Sequence, residues 1–480
     1  MANCIIEEQN LYDIANAIRN KNGESSLYKP SQMAGKINNI ESADTINPNK
    51  PVVIFDFNGD VIHSYTAEEF LALTEYPVAP THEDLIFNEY TYTLTNAKNY
   101  VTKFGELHIG ALYNTVDDAT FIKLNVDVLN NKPTLYISVG INGSATIDWG
   151  DNTTSTLTGN DQTNVSTVSH SYSTSGLKKI KISSSVQISI YGANQGTKLV
   201  WNNGDGKNYN AYSKRISSLY LGYAFLGSNG LKGCYNMSEL VLSNKASIST
   251  SYTQIISGAR SLKHINIPKE ITTLPEQLFY QSGIEGVCLP DTLDTIKSGV
   301  FNTTSLKKIY VPSSVTDIGS NSYGLSNMSY LEKCIIDDTV LSIGSYLFSN
   351  DTSLKEVRIP KFTQYTNILT ESMFASCPSL QNVNLEGYTT LNYRMFYNCT
   401  SLIKLVVPKE VTTIGIECFN SSGITILDFR EALAVPTLQG SITGFNPELT
   451  IIVPDNLYSS WIAASNWSDL SSNIIRVSDL

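Results

Sequence analysis

Ser305-Leu-Lys-Lys-Ile-Tyr-Val-Pro312 is one copy of a unit that the chain repeats. The same spacing of apolar residues before a proline returns in Ser261-Leu-Lys-His-Ile-Asn-Ile-Pro268, Ser353-Leu-Lys-Glu-Val-Arg-Ile-Pro360 and Ser401-Leu-Ile-Lys-Leu-Val-Val-Pro408. Weaker copies begin at Leu219, Leu240, Ile284, Leu331, Leu380 and Ile424, so the leading apolar position recurs every 21 to 26 residues. A second apolar beat follows the proline, as in Ile271-Thr-Thr-Leu274, Val315-Thr-Asp-Ile318-Gly and Val411-Thr-Thr-Ile414-Gly. A third is aromatic, at Phe279, Phe301, Phe348, Phe374, Phe396 and Phe419. A period of about 20–29 residues with this spacing predicts a solenoid. No single unit can close a core, but stacked units bury a continuous one.

The sequence of beats, L-x-x-I-x-I-P, then V-x-x-I-G, then Phe and often Cys, resembles the BspA-like class of leucine-rich repeats over residues 216–440. The resemblance implies a curved, right-handed solenoid with parallel strands, and it makes Cys377 and Cys399 core thiols. About ten rungs at ~4.8 Å each give a rod on the order of 50 Å long. The solenoid is assigned to 191–450. The C-terminal segment 451–480, with Pro454-Asp-Asn-Leu-Tyr-Ser-Ser-Trp461 running on to Trp467, reads as a capping helix, which a solenoid end needs for solubility.

Outward from the repeats, the chain of 480 residues is long enough for roughly three domains. Residues 51–130 read as an α+β module. Val52-Val-Ile-Phe55 and Val61-Ile62 flank the hairpin signal Asn58-Gly59. Thr66-x-x-Glu69 is a capping box, and a second helix runs from about Thr95 to Phe104 before Gly105. Residues 131–190 carry short β-rich runs, Leu135–Val139, Ala145–Trp149 and Lys178–Ile182. Here Ile147-Asp-Trp-Gly-Asp151, His170-Ser-Tyr172 and Gly176-x-x-x-Ile180-x-Ile182 resemble the PKD-like immunoglobulin-type sandwich. Trp149 and Tyr172 would be core aromatics, Asp148 and Asp151 would tie down turn backbone, and His170 would be structural.

The front of the chain, 1–40, reads as two short amphipathic helices with stripes Leu11, Ile14, Ile18 and Met33, Ile37, Ile40, joined through Asn22-Gly23 and Pro30. Such stripes need a surface to dock on, and a polar linker follows at 41–50. Leu11-Tyr-Asp-Ile-Ala-Asn-Ala-Ile-Arg-Asn-Lys-Asn-Gly23 with Tyr28-x-Pro30-x-x-Met33-x-x-x-Ile37 resembles the opening segment of tail-tip and fibre proteins of bacteriophages that infect Gram-positive hosts. Ile54-Phe-Asp-Phe-Asn-Gly-Asp60, Ser64-Tyr-Thr-Ala-Glu-Glu-Phe-Leu-Ala-Leu73 and Leu107-His-Ile-Gly110 resemble a module of the same proteins and of gut-bacterial surface proteins. The fold class expected is thus a mosaic, mainly β: helical piece, α+β module, PKD-like sandwich, BspA-like solenoid and C-terminal cap.

Composition narrows the partners. Lys and Arg number 33 against 44 Asp and Glu, a net charge of −11. That balance argues against nucleic acid, whose phosphates need clustered cations. The apolar runs fall short of the ~18 residues of a membrane span, and Met1–Asn20 shows neither a basic nor an apolar signal region. The seven cysteines form no C-x-x-C pair and read as buried thiols. Nucleophile elbows, zinc-protease motifs and phosphate loops are absent from the sequence, Gly204-Asp-Gly206 reads as a turn, and the five histidines are scattered. No enzyme activity, cofactor or metal is therefore assigned.

Recognition is the remaining class. Many of the 27 tyrosines fall in repeat loops, among them Tyr209, Tyr212, Tyr223, Tyr235, Tyr252, Tyr323 and Tyr346. They suit a binding face, or packing between rungs. Strand alternation sends His264, Asn266, Lys308, Tyr310, Glu356, Arg358, Asn382 and Asn384 outward. That stripe fits a host glycan, a protein surface or an ordinary solvated face. His264, Tyr310, Arg358 and Asn384 are taken as the expected contacts. The expected role is a virion protein: residues 1–40 dock on other phage proteins and the repeats read the host surface. The alternatives are a BspA-like bacterial surface adhesin and, third, a glycan-degrading enzyme. A homo-oligomer is compatible with a fibre role, although the chain shows no heptad seam.

Overall fold

In a computed structural model, residues 51–128, 134–193, 196–201, 213–319, 323–361, 367–368, 371–440 and 445–480 are described. The helical segment 1–40, the linker 41–50, the Gly204–Gly206 turn and Tyr209 and Tyr212 lie outside them.

The front module is a four-stranded sheet with two helices. Strands β1 (Pro51–Phe55), β2 (Val61–Thr66), β3 (Leu85–Tyr90) and β4 (Leu107–Thr115) lie in the order β2-β1-β4-β3, with β1 and β4 parallel. The β1–β2 hairpin turns at Gly59, whose φ of 87° is open to glycine at no steric cost. Helix α1 (Ala67–Ala72) carries the full capping box: the Thr66 hydroxyl accepts from the Glu69 amide, and the Glu69 carboxylate accepts from the Thr66 amide at 2.7 Å. Helix α2 (Leu94–Phe104) buries Ala97, Tyr100, Val101 and Phe104, which share one face by helical spacing. Gly105 closes it.

Strand β5 (Thr120–Val126), which the sequence reading leaves inside the α+β module, leaves that sheet. It pairs antiparallel with β8 (Gly176–Ser184) on one side and with Ile216–Leu221 on the other. Its inward residues Ile122, Leu124 and Val126 join the core of the following strands, β6 (Thr134–Asp148) and β7 (Thr154–Ser171), rather than the module's. In this β unit Trp149 and Tyr172 are buried and the Tyr172 hydroxyl donates to the Trp149 carbonyl. His170 stacks on Trp149 and meets Asp151 at 2.7 Å, and the Asp148 carboxylate accepts from the Gly150 amide. These are packing and turn-fixing roles.

Ile216–Leu221 is also the first solenoid strand, and it pairs parallel with Glu239–Leu242. The β unit thereby covers the edge that a solenoid would otherwise leave open to pairing. The first beat recurs in further strands that pair parallel in three runs: His264–Asn266 with Gly286–Cys288, then Lys308–Val311, Lys333–Ile336, Glu356–Arg358 and Asn382–Val383, then Lys404–Val406, Ile426–Asp428 and Thr450–Val453. A second ladder contains Thr273–Leu274, Thr295–Ile296, Asp317–Ile318 and Ser342–Ile343, in parallel register. Inside, the aromatic beat forms a stacked column, with centroids of Phe348, Phe374 and Phe396 5.5 Å apart at each step. Cys377 and Cys399 are fully buried, and burial pushes the Cys399 thiol up to about 12. The chain ends in a short helix (Tyr458–Ala463) that buries Trp461 and Trp467 against Phe429, and a last strand, Ile474–Arg476, completes the ladder.

Candidate recognition surfaces

Strand alternation places the expected stripe on the outer side of the first ladder, as anticipated, but much of that side is not solvated. The α+β module lies across it. The module's core takes in Tyr220 and Val241 and packs against Tyr310 and Ile335, all outward residues of solenoid strands. The joint is dense in specific bonds. Asn266 donates to the Ala111 carbonyl at 2.9 Å, the Asn96 amide donates to Asp291 at 2.7 Å, and the Tyr100 and Ser313 hydroxyls are 2.9 Å apart. Lys103 reaches the buried Asp337 carboxylate at 2.9 Å, Lys308 reaches Glu106 at 2.8 Å, and Lys269 reaches Glu89 at 2.9 Å.

Three of the four expected contacts sit in or beside this joint. His264 is half-buried, stacked on Phe55 at 6.4 Å, and a side chain at Gly59 would overlap its ring. Burial holds both His264 and its neighbour His108 below the usual imidazole value. Tyr310 stands between Tyr100 and Phe104, with centroids 5.3 Å and 5.0 Å away, and desolvation pushes its phenol up. Arg358 lies over the Phe104 ring at 4.8 Å and pairs with Asp338 at 3.4 Å. Asn384 is exposed, its side-chain oxygen accepting from the Glu386 amide. The expectation that all four form one open face is corrected on this point: alternation fixes the side of the sheet and is silent on what covers it. A signal was present in the outward positions of the covered rungs, which are apolar or aromatic at Tyr220, Val241, Tyr310 and Ile335, whereas Asn382, Asn384 and Lys404 follow them.

A surface that stays open among the described residues is the flank where each rung turns after the second beat. Two residues of nearly every rung there have positive φ, for example Gln277 and Gln281, Tyr346 and Asn350, Arg394 and Asn398. Their side chains form outward columns running along the rod. Tyr323 and Tyr346 stack at 4.9 Å in one column, and Asn350 donates to Asn327 in the other. A polar cleft of about 650 Å³ opens into this flank between Gln277 and Tyr323. Among the described residues, no group of three or more metal-ligating side chains gathers.

Residues 214–329 and 321–435 match the BspA-type leucine-rich repeat region, in six copies. Residues 214–435 are a BspA-type leucine-rich repeat region. Solved structures that the chain matches include a leucine-rich repeat protein from Bacteroides ovatus at 18% identity, covering 64% of this chain and 90% of that one with a TM-score of 0.40. The pneumococcal vaccine antigen PcpA is 14% identical over 54% of this chain and 77% of its own, with a TM-score of 0.28. A leucine-rich cell surface protein from Faecalibacterium prausnitzii is 18% identical over 56% of this chain and 86% of its own, at 0.25. No curated protein matches the chain.

Proposed function

We propose that this protein binds a cell surface non-covalently through its solenoid, and that it does so as a bacteriophage virion component. The observation that carries the recognition reading is the docked module. It ties the front of the chain to the rod by a shared core and several ion pairs, so the repeat columns on the open flank are presented on a stiff support. A rigid surface with one independently variable position per rung suits the reading of a repetitive glycan or a protein face. The virion setting is supported by the likeness of residues 11–37 to phage tail segments. In this reading residues 1–40 dock on other virion proteins, the strands around Trp149 and Tyr172 are a PKD-like spacer, and no covalent chemistry is performed.

A second reading, a BspA-like bacterial surface adhesin, draws support from the repeat type itself. Both readings require binding of the purified chain to cells or wall fractions, and a chain that sediments with none of them overturns both. Neighbouring tail, portal or holin genes, and detection of the chain in purified particles, support the virion. An anchored cell-wall fraction carrying the chain supports the adhesin. Release of soluble sugar from wall material would favour the third possibility, a glycan-degrading enzyme.

A further inference from the structure

One column on the open flank has a missing tooth. Gln254, Gln277, Tyr323, Tyr346, Ser372, Arg394 and Glu417 occupy the same turn position in successive rungs, all with φ between 50° and 61°. Their backbones form one ladder, with the amides of Gln277, Gly299, Tyr323 and Tyr346 donating to the next rung at 2.9–3.0 Å. Gln254 and Gln277 continue that ladder in their side chains, at 2.8 Å, and Tyr323 stacks on Tyr346. Between these two runs the position is Gly299, at φ 61°. The side chains on either side are therefore two rungs apart, roughly 9–10 Å at the strand spacing. The polar cleft occupies this gap.

The lining is chemically specific. Gln277 forms one wall and the Tyr323 ring the other, while Asn302 and Asn327 add amides, and Glu276, Thr295, Lys297 and Asp317 line the rest. Lys297 is already engaged with the Thr250 carbonyl at 2.7 Å. Asp317 is not satisfied: its Oδ1 is buried and has no hydrogen-bond partner among the described residues. A buried carboxylate oxygen in a native protein is normally paired, and among the described residues this one has no donor. The cleft's volume is within the ~300–1,000 Å³ of small-molecule sites.

We infer that the Gly299 cleft is a binding site for a neutral, hydroxyl-rich pyranose unit of a surface polysaccharide. A sugar hydroxyl supplies the donor that Asp317 Oδ1 lacks. The amides of Gln277, Asn302 and Asn327 donate and accept at once, as vicinal hydroxyls require. The apolar face of the ring lies on Tyr323, which Tyr346 holds in place by stacking. The inference rests on the recognition reading above and names its ligand class and its place on the rod.

The test is saturation-transfer NMR of the full chain with methyl glycosides of glucose, galactose, mannose and N-acetylglucosamine and their β-linked disaccharides, alongside binding to wall fractions. Gly299→Gln fills the gap at a left-handed φ that favours glycine, so it adds the modest backbone cost that Gln277 already carries at its own rung. Its Cβ would meet Gln277 and Asn302 atoms at 3.4–3.9 Å, ordinary contact distances. At least one sugar should bind the wild type, and its Kd should rise tenfold or more in Gly299→Gln and in Tyr323→Ala, with both variants still folded at the assay temperature. Asp317→Asn, which keeps the shape, should weaken binding similarly, so the conclusion survives if one variant folds poorly. No sugar bound by the wild type, equal affinity in Gly299→Gln, or binding abolished by EDTA alone would overturn the inference. Wall binding that persists in Gly299→Gln removes the cleft and leaves the recognition reading intact. Sugar binding without any wall binding does the reverse.

Discussion

Phe104 of the module and Tyr310 of the solenoid face each other with ring centroids 5.0 Å apart, and Arg358, two rungs further along, covers the Phe104 ring at 4.8 Å. One aromatic side chain at the end of a helix thus engages outward residues of two separate strands. Phe104 is 7% exposed, so its loss would leave a hole between two cores. Phe104→Ala should destabilise the chain by about 3–5 kcal/mol, the usual cost of deleting a buried phenyl ring. Urea unfolding followed by tyrosine fluorescence measures this. A variant whose solenoid transition is unmoved would show that the joint contributes little to the rod's stability.

The same joint separates the outward residues into two groups. Tyr310→Ala should cost about 2–4 kcal/mol, because the ring is enclosed by Tyr100 and Phe104. Asn384→Ala, at an exposed position, should stay within about 0.5 kcal/mol. Equal midpoints for the two variants would contradict the docked arrangement.

Asp351 is fully buried and occupies the position that Cys377 and Cys399 hold in later rungs. Its Oδ1 accepts from the Met328 amide at 2.7 Å, yet burial pushes the carboxyl well above its ordinary 3.8. Between 3.8 and the raised value the folded chain holds the proton that the unfolded chain has lost. The group's contribution is therefore intact below pH 3.8 and declines as pH rises from there. Asp351→Asn keeps the shape and cannot ionise. Its stability relative to wild type should be unchanged near pH 3.5 and should grow above it by at most about 1.4 kcal/mol per pH unit. Paired urea titrations at several pH values decide this, and a difference that is flat with pH would mean that Asp351 is ionised in the fold.

The repeat was legible because periodicity repeats its own evidence: Leu306, Leu354 and Leu402 fall at one position and all are fully buried. The hairpin at Gly59 and the capping box at Thr66 were legible because each is local. The departure of strand β5 from the 51–130 module was not legible, because its partners, β8 and Ile216–Leu221, lie far away in sequence and no local signal names them. The covering of Tyr310 was missed for a related reason, since an outward aromatic suits a ligand and a docked domain equally well. The Gly299 cleft was hidden because one glycine in a turn acquires meaning only once its rung-mates Gln277 and Tyr323 are aligned beside it.

Removing the front of the chain should expose two different liabilities that can be told apart. A fragment of residues 191–480 loses the module and so uncovers Tyr220, Val241, Tyr310 and Ile335 along one side. It also loses β5, leaving Ile216–Leu221 as an open strand edge. Contiguous apolar surface and unpaired edges each favour self-association. A fragment of residues 120–480 keeps β5 and the β unit, and therefore carries only the apolar side. In sedimentation velocity the full chain should associate least, residues 120–480 more, and residues 191–480 most, with dye binding to exposed apolar surface rising at the first truncation. If residues 120–480 behaved like the full chain, the module would not be covering an apolar face. If the two fragments behaved alike, the β unit would not be guarding the solenoid's first strand.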